Sequence, residues 1–369
     1  VSVGIAADID RVADPSRLLV HADIALYRAK SRGRNRHQFF NEALETEIIT
    51  TKRIADDILS GLEQNQFIAY YQPQFDAETL EVIDRHGLPR RNAPLLRVRK
   101  AMQDTSGGAY FYLDHLDRAV VGTSDGTIEI VAIEESAQGP RLVLKERIPL
   151  GAQLLRPNGR LDKITAVMPD YQGNLWFVGR YGTVGIVNAQ REVHIIRLQC
   201  EEIKNSFSIA PEGAYVVSDH ALYRFELPNA DAPPVVAWRE RYDRGHRVKV
   251  GQINRGSGTT PTLLGEDYVA ITDNAEPRMN VLVYRRGFRE GERLVCKTPV
   301  FRPGRSATEN TLIGHGRSLI VENNAGYDIF RTMRRGKTSE PGIARIDIRE
   351  DESGCDIIWE SNEISQTTV

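Results

Sequence analysis

The sequence predicts a mainly β protein: a β-propeller of about five blades, preceded by a small α/β fragment with a long helix. Three observations lead there. After about residue 106 no long helical periodicity recurs. Short apolar runs begin instead at residues 118, 175, 214, 268 and 318. Their spacing is close to the roughly 40–50-residue period of blades built from several strands each. Three consecutive units also share one internal order: polar lead-in, strand, tight turn, second strand, polar tetrad.

Composition sets the outer bounds. The chain has 369 residues, enough for two or three domains. A net charge of −2 with 27% charged residues excludes a dominant basic or acidic tail. At 41% hydrophobic residues there is enough apolar side chain to bury a core. No run of about 18 apolar residues exists, so no membrane-spanning helix is expected. The three cysteines, Cys200, Cys296 and Cys355, exclude a disulfide framework. At most one pair can bridge, and free core thiols are the plainer expectation. The chain opens at Val1 with no basic-then-apolar leader. It is expected to begin inside a domain, and its compartment stays open.

The first 83 residues follow a helical grammar. Val1 to Ala6 reads as a buried strand. Asp14-Pro15 starts a helix, with proline suited to the first turn. Leu18, Leu19, Ala22, Leu26 and Ala29 form its apolar stripe, and Gly33 ends it. A second helix is expected from about Asn41 to Gln64, striped by Leu44, Ile48, Ala55, Ile58 and Leu62. That near-heptad spacing suits either a helix lying along a neighbour or one core-facing amphipathic helix. Phe67 to Tyr71 reads as a strand.

Residues 84–108 lack clear periodicity. They carry Arg85, Arg90, Arg91, Arg97, Arg99 and Lys100 against Asp84 and Asp104. They read as a linker or the outer strand of an incomplete blade with solvated charges, the alternative being a patch for an anionic partner. No aromatic residue interleaves the cations, so no nucleic-acid polymer is expected as partner.

The propeller repeats, residues 109–369, are more regular. The lead-ins are Asn205–Ile209, Thr260–Leu264 and Asn310–Ile313. The tetrads are Ser218-Asp219-His220-Ala221, Thr272-Asp273-Asn274-Ala275 and Glu322-Asn323-Asn324-Ala325. A fourth unit has Arg180-Tyr181-Gly182 at the tetrad, and a fifth has Thr123-Ser124-Asp125-Gly126. Asn362 to Val369 reads as the lead-in of another blade, so the propeller is expected to be incomplete, or closed by borrowing Leu95 to Met102.

In a propeller meander, the turn after the second strand shares a face with the lead-in of the next inner strand. This places Asp219, His220, Asp273, Asn274, Glu322, Asn323 and Asn324 on one face with Asn205, Thr260 and Asn310. Such oxygens and amides suit a small hydroxylated ligand or a hard cation such as Ca²⁺. They also suit plain turn chemistry, because Asn and Asp cap their own backbone. His220 is the one imidazole among the tetrads and the only candidate general base there. No GxSxG, HExxH, phosphate-binding loop or CxxC stands in a supporting context.

Two strings in the first 83 residues carry a family resemblance. Ala22-Asp23-Ile24-Ala25-Leu26-Tyr27-Arg28-Ala29-Lys30, followed by Gly33-Arg34-Asn35-Arg36, closely resembles the end of a GGDEF diguanylate cyclase domain. Tyr70-Tyr71-Gln72-Pro73-Gln74, within Glu63 to Val82, resembles the first strand of an EAL cyclic-di-GMP phosphodiesterase domain. The resemblance implies a cyclase-domain end over 1–40, a connecting helix over 41–66 and a truncated phosphodiesterase strand over 67–83. It implies that Lys30 and Arg34 contact nucleotide phosphates. The metal-binding carboxylates of the cyclase family would lie upstream of Val1. Where the phosphodiesterase family has its Glu-Ala-Leu metal ligand, this chain has Glu81-Val82-Ile83, with His86 close behind. Neither nucleotide activity is therefore expected.

The propeller is loosely similar to calcium-dependent lactonases of the gluconolactonase/regucalcin kind, in which one carboxylate, two Asn and an Asp hold the metal. Matching residue types here are Glu322, Asn205, Asn310 and Asp273. It is also loosely similar to quinoprotein-type propellers, without their tryptophan-docking repeat. The expectation is a cyclic-di-GMP-signalling fragment joined to a propeller that binds a small polar ligand or cation. A metal-dependent hydrolase and a protein-interaction scaffold are the alternatives. The first half implies a cytoplasmic location; a propeller whose parent carried a signal peptide would be periplasmic or secreted.

Overall fold

A computed structural model of the chain describes residues 2–6, 15–31, 37–40, 104–137, 139–287, 292–328 and 339–363. The expected helix over 41–64, the strand at 67–71, His86 and the basic stretch through Met102 lie outside these residues. The chain divides into two compact units, Val1–Pro73 and Gln74–Val369.

In the first unit, β1 (Val3–Ile5) and β2 (His37–Phe39) pair in parallel, with α1 (Pro15–Ser31) between them in the chain. A parallel pair needs a crossover, and α1 provides it. Pro15 opens α1, where its missing N–H costs nothing. Ala25 and Ala29, one turn apart, are fully buried. Their small side chains let α1 lie close to the two strands. Val3, expected inside a buried strand, is instead exposed.

Among the described residues, the second unit is a β-propeller of five four-stranded antiparallel sheets, each drawn from one contiguous stretch of chain. Blade 1 comprises β3 (Phe111–Leu113), β4 (Ala119–Gly122), β5 (Thr127–Ser136) and β6 (Gly139–Pro149). Blade 2 comprises β7 (Ile164–Pro169), β8 (Leu175–Gly179), β9 (Thr183–Val187) and β10 (Val193–Arg197). Blade 3 runs β11 (Ser208–Ala210), β12 (Gly213–Val217), β13 (Ala221–Glu226), β14 (Val235–Arg241). Blade 4 runs β15 (Thr262–Leu264), β16 (Tyr268–Thr272), β17 (Asn280–Arg285), β18 (Leu294–Pro299). Blade 5 runs β19 (Ile313–His315), β20 (Ser318–Glu322), β21 (Ile343–Ile348), β22 (Cys355–Ser361). All five apolar runs that mark the repeat became second strands.

In blades 2 and 4 the second and third strands are buried on both faces over nearly their whole length, which is why they read as continuous apolar runs; in blade 5, β20 and β21 alternate instead. Four apolar clusters sit between successive blades. Trp176 packs between blades: it lies with Ala214, Val216 and Phe225 of blade 3, its Nε1 donating to Asp170 Oδ2 at 3.1 Å. The cysteine expectation needs correction. Cys296 and Cys355 form a disulfide joining the outer strands β18 and β22, and only Cys200 is free. Their sequence separation of 59 residues hid the pairing; adjacent blades bring the two outer strands together.

Candidate functional site

The turns after the second strands meet the connectors entering each blade, as meander geometry requires. One hydrogen bond recurs in four blades. The backbone amides of Arg180, Asp219, Asn274 and Asn324 donate to the carbonyls of Lys163, Glu202, Asp243 and Ala307, at 2.8, 2.9, 2.9 and 2.7 Å. Each acceptor lies in the connector entering the same blade. Strand registers align these positions. Val217 pairs with Leu222, Thr272 with Val281 and Glu322 with Ile343. Ser218 is thus equivalent to Asp273 and Asn323, one residue off the alignment that the tetrads suggest by eye. The blade-3 turn holds only Asp219 and His220 beyond that position, whereas the other two loops are longer.

Most of the predicted residues are occupied by protein groups. Asp273 accepts from the backbone amides of Asn280 and Ala275 at 2.7 and 3.2 Å, and from Asn280 Nδ2 at 2.7 Å. Burial holds its carboxyl above the usual range. Asn274 Nδ2 donates to the carbonyls of Arg244, Arg247 and Arg255. Asn323 ties the connector at Arg305 and Ala307. Asn324 Oδ1 accepts from Thr308 Oγ1 and the Glu309 amide. Asn205 Nδ2 donates to the carbonyls of Ser257 and Thr259. Asn310 bonds locally to Thr308, and Glu322 receives Asn324 Nδ2 at 3.3 Å. Thr260 is half-buried on the same connector. Among the described residues no hydrogen bond joins Glu322, Asp273, Asn205 and Asn310, and no three His, Cys, Asp or Glu side chains group to hold a metal ion.

His220 belongs to a triangle. Its Nδ1 lies 2.8 Å from Asp219 Oδ1, and its Nε2 lies 2.8 Å from Arg244 Nη1. Arg244 also donates to Asp219 Oδ2. Because arginine is always a donor, Nε2 must accept and Nδ1 must carry the proton. The lone pair a general base would use is thus occupied.

A second polar group, absent from the predicted set, draws on all five blades. Thr105 Oγ1, ahead of blade 1, donates to the Lys204 carbonyl at 2.6 Å. Arg180 Nη1 of blade 2 reaches Thr105 Oγ1 at 3.3 Å. Lys204 Nζ, on the connector into blade 3, pairs with Glu202 at 3.0 Å and points to the Ile253 carbonyl at 3.4 Å. The Ile253 amide, on the connector into blade 4, donates to Glu309 Oε1 of blade 5 at 2.8 Å. Tyr110 lies within electrostatic reach of Glu309 and Arg180. Glu309 is partly buried and keeps some of its surface open to solvent. Burial pushes its carboxyl up to about 8, against the smaller pull of the Ile253 amide, Lys204 and Arg180. Tyr110 is pushed up to about 12, chiefly by burial. Beside Ile253, the Gln252 carboxamide is buried with no hydrogen-bond partner among the described residues. No motif announces the group as a whole: Arg180 stands at the tetrad position of blade 2, and the other residues come from irregular connectors.

Two cavities lie elsewhere on the propeller. One of about 530 Å³ is lined by Tyr171, Pro211, Glu212, Leu263 and Arg286, at the turns between first and second strands. Arg286 is buried there, its guanidinium spent on Glu212 and the Gly265 carbonyl. The other, of about 240 Å³, is lined by Arg247, Lys249, Glu276, Arg305 and Glu340, with Arg247 paired to Glu276 and Arg305 to Glu340. In the first unit, Lys30 lies in α1, and Arg34 lies outside the described residues.

No family model matches the chain. Its N-terminal stretch of about 93 residues is similar to cyclic-di-GMP signalling proteins. It is 33% identical over 93 residues to an uncharacterized signaling protein of Caulobacter vibrioides, 25% of this chain and 12% of that protein. It is 30% identical over 93 residues to the bifunctional diguanylate cyclase/cyclic di-GMP phosphodiesterase MucR of Pseudomonas aeruginosa, 25% of this chain and 14% of that protein. The chain thus spans 12–14% of the length of these curated relatives. Among solved structures, Sqt1 of Saccharomyces cerevisiae matches with a TM-score of 0.42 at 11% identity, over 71% of this chain and 64% of that one. The WD40 domain of SCAP from fission yeast matches with a TM-score of 0.35 at 11% identity, over 67% of this chain and 62% of that one. An N-terminal segment similar to signalling proteins is therefore joined to a β-propeller in one chain.

Proposed function

We propose that the chain couples a non-catalytic cyclic-di-GMP-signalling fragment to a propeller that binds a small polar ligand at the connector face. The convergence of Tyr110, Arg180, Lys204 and Glu309 from separate blades is the observation that supports the propeller half. Holding one carboxyl and two cations close together costs desolvation that the protein's own hydrogen bonds do not fully return. A ligand with complementary polar groups would return it. On this reading Asp219, Asp273, Asn274, Asn323 and Asn324 serve the ligand by fixing the connectors, while Asn205, Thr260, Asn310 and Glu322 border the same face. His220 has no catalytic part, because Arg244 occupies its Nε2.

The similarity of the N-terminal residues supports the other half. Lys30 and Arg34 would be its phosphate contacts, two cations four residues apart in the sequence. Isothermal titration of the full chain with cyclic-di-GMP and with GTP tests it. Binding of either, lost in the double variant Lys30→Ala/Arg34→Ala, supports the assignment. No heat with either nucleotide refutes it and leaves the propeller reading intact. Thermal-shift screening with glycerol and glycerate tests the propeller half, which fails if neither raises the melting temperature.

A further inference from the structure

The charges at the connector face select among small polar ligands. Arg180 is held at both ends of its peptide unit: its amide donates to the Lys163 carbonyl at 2.8 Å, and its carbonyl accepts from the Ile203 amide at 3.0 Å. Its guanidinium, by contrast, makes a single hydrogen bond among the described residues, the 3.3 Å contact to Thr105. A fixed backbone carrying a mostly unspent guanidinium fork is built for a planar anion. Lys204 adds little net charge, because Glu202 pairs with it at 3.0 Å. Glu309 spends one oxygen on the Ile253 amide, leaving the other free among the described residues. The Tyr110 hydroxyl likewise takes no hydrogen bond among them. The site therefore offers one uncompensated cation and, beside it, a carboxyl oxygen and a phenol that pair with hydroxyl groups.

We infer that this site takes a small hydroxycarboxylate, with the carboxylate on Arg180 and a hydroxyl between Tyr110 and Glu309. The inference rests on the propeller reading above and narrows it to one class of ligand. A fully ionised Glu309 would repel the carboxylate. Its raised pKa keeps it largely neutral at pH 7, where it donates to the ligand instead.

The test is titration calorimetry of the full chain with glycerate, with glycerol as its uncharged counterpart, and with inorganic phosphate. Glycerate should bind at least about tenfold more tightly than glycerol, the value of one charge-assisted contact. Arg180→Gln should erase that preference. The variant keeps the backbone bonds that hold residue 180, and an unchanged circular dichroism melt verifies its fold. Glycerate affinity should also fall above pH 8, and Glu309→Gln should remove that fall. Equal binding of glycerol and glycerate, or an undiminished preference in Arg180→Gln, overturns the inference while sparing the propeller reading. Tighter binding of phosphate than of glycerate overturns it as well. Silence from all three overturns both.

Discussion

Ile253 donates its backbone amide to Oε1 of Glu309 at 2.8 Å, tying the connector into blade 4 to the connector into blade 5. One such bond does not offset the enclosure of a carboxylate, so Glu309 stays protonated up to about pH 8. An acid whose pKa is higher in the folded state gives stability that is complete below its unfolded value and is lost as pH rises toward the folded value. The protein should thus melt at progressively lower temperature from about pH 5 to about pH 8. Asp162, Asp273 and Glu322, all raised by burial, push the same way. The difference between wild type and Glu309→Gln isolates the Glu309 share. Glutamine keeps the bond from Ile253 and carries no charge, so the variant should gain stability relative to wild type as pH rises. Parallel melting curves at pH 5 and pH 9 would refute the assignment.

The disulfide between Cys296 and Cys355 fastens the outer strands of blades 4 and 5. Closing a loop of this length typically stabilises by about 2–4 kcal/mol, mainly by restricting the unfolded chain. Cys355→Ser should lose that amount in a urea titration, and a thiol reductant should bring wild type to the variant's midpoint. Cys200→Ser should leave the midpoint in place.

Gly213 opens β12 with φ near 135°, and a Cβ there would lie 1.9 Å from the Phe225 carbonyl oxygen. Alanine therefore meets both a forbidden backbone region and the neighbouring strand. Gly213→Ala should cost about 2 kcal/mol or more. Gly316→Ala, with a positive φ but open space around it, should cost less. Equal costs would mean that the Phe225 contact is relieved by a strand shift.

The second strands were the most legible feature in the sequence. Burial on both faces demands continuous apolar runs such as Leu175–Val178 and Tyr268–Ile271, and those runs survive in one dimension. First strands such as β11 and β19 are only three residues long and bear on few neighbours, so the sequence showed them only as polar lead-ins. The tetrads were visible as a pattern, but their partners were not. Asn274 bonds to carbonyls of residues 244–255, and a carbonyl leaves no mark in the side-chain sequence. Glu309 was unreadable for a different reason. Its raised pKa comes from burial where connectors of several blades meet, a property of assembly rather than of any local string.

Asn274 offers the sharpest test of what the tetrads do. Its side chain is fully buried, and Nδ2 donates to the carbonyls of Arg244, Arg247 and Arg255 at 3.1, 3.0 and 3.2 Å. One amide thus gathers three points of the long connector that carries Gln252 and Ile253. Asn274→Ala leaves those carbonyls without their donor and should cost about 1–3 kcal/mol. Asn274→Asp is nearly the same size but cannot donate when ionised, and it would set a carboxylate against three carbonyl oxygens. It should be the more damaging of the two, and most so at high pH, where no proton remains to restore one bond. Hydrogen exchange should locate the loss: the amides of 244–256, the Ile253 amide among them, should exchange faster while the core strands β12 and β13 stay protected. If Asn274→Asp proves as stable as wild type at pH 8, the donor role of this side chain is wrong, and the tetrad does not organise the connector face.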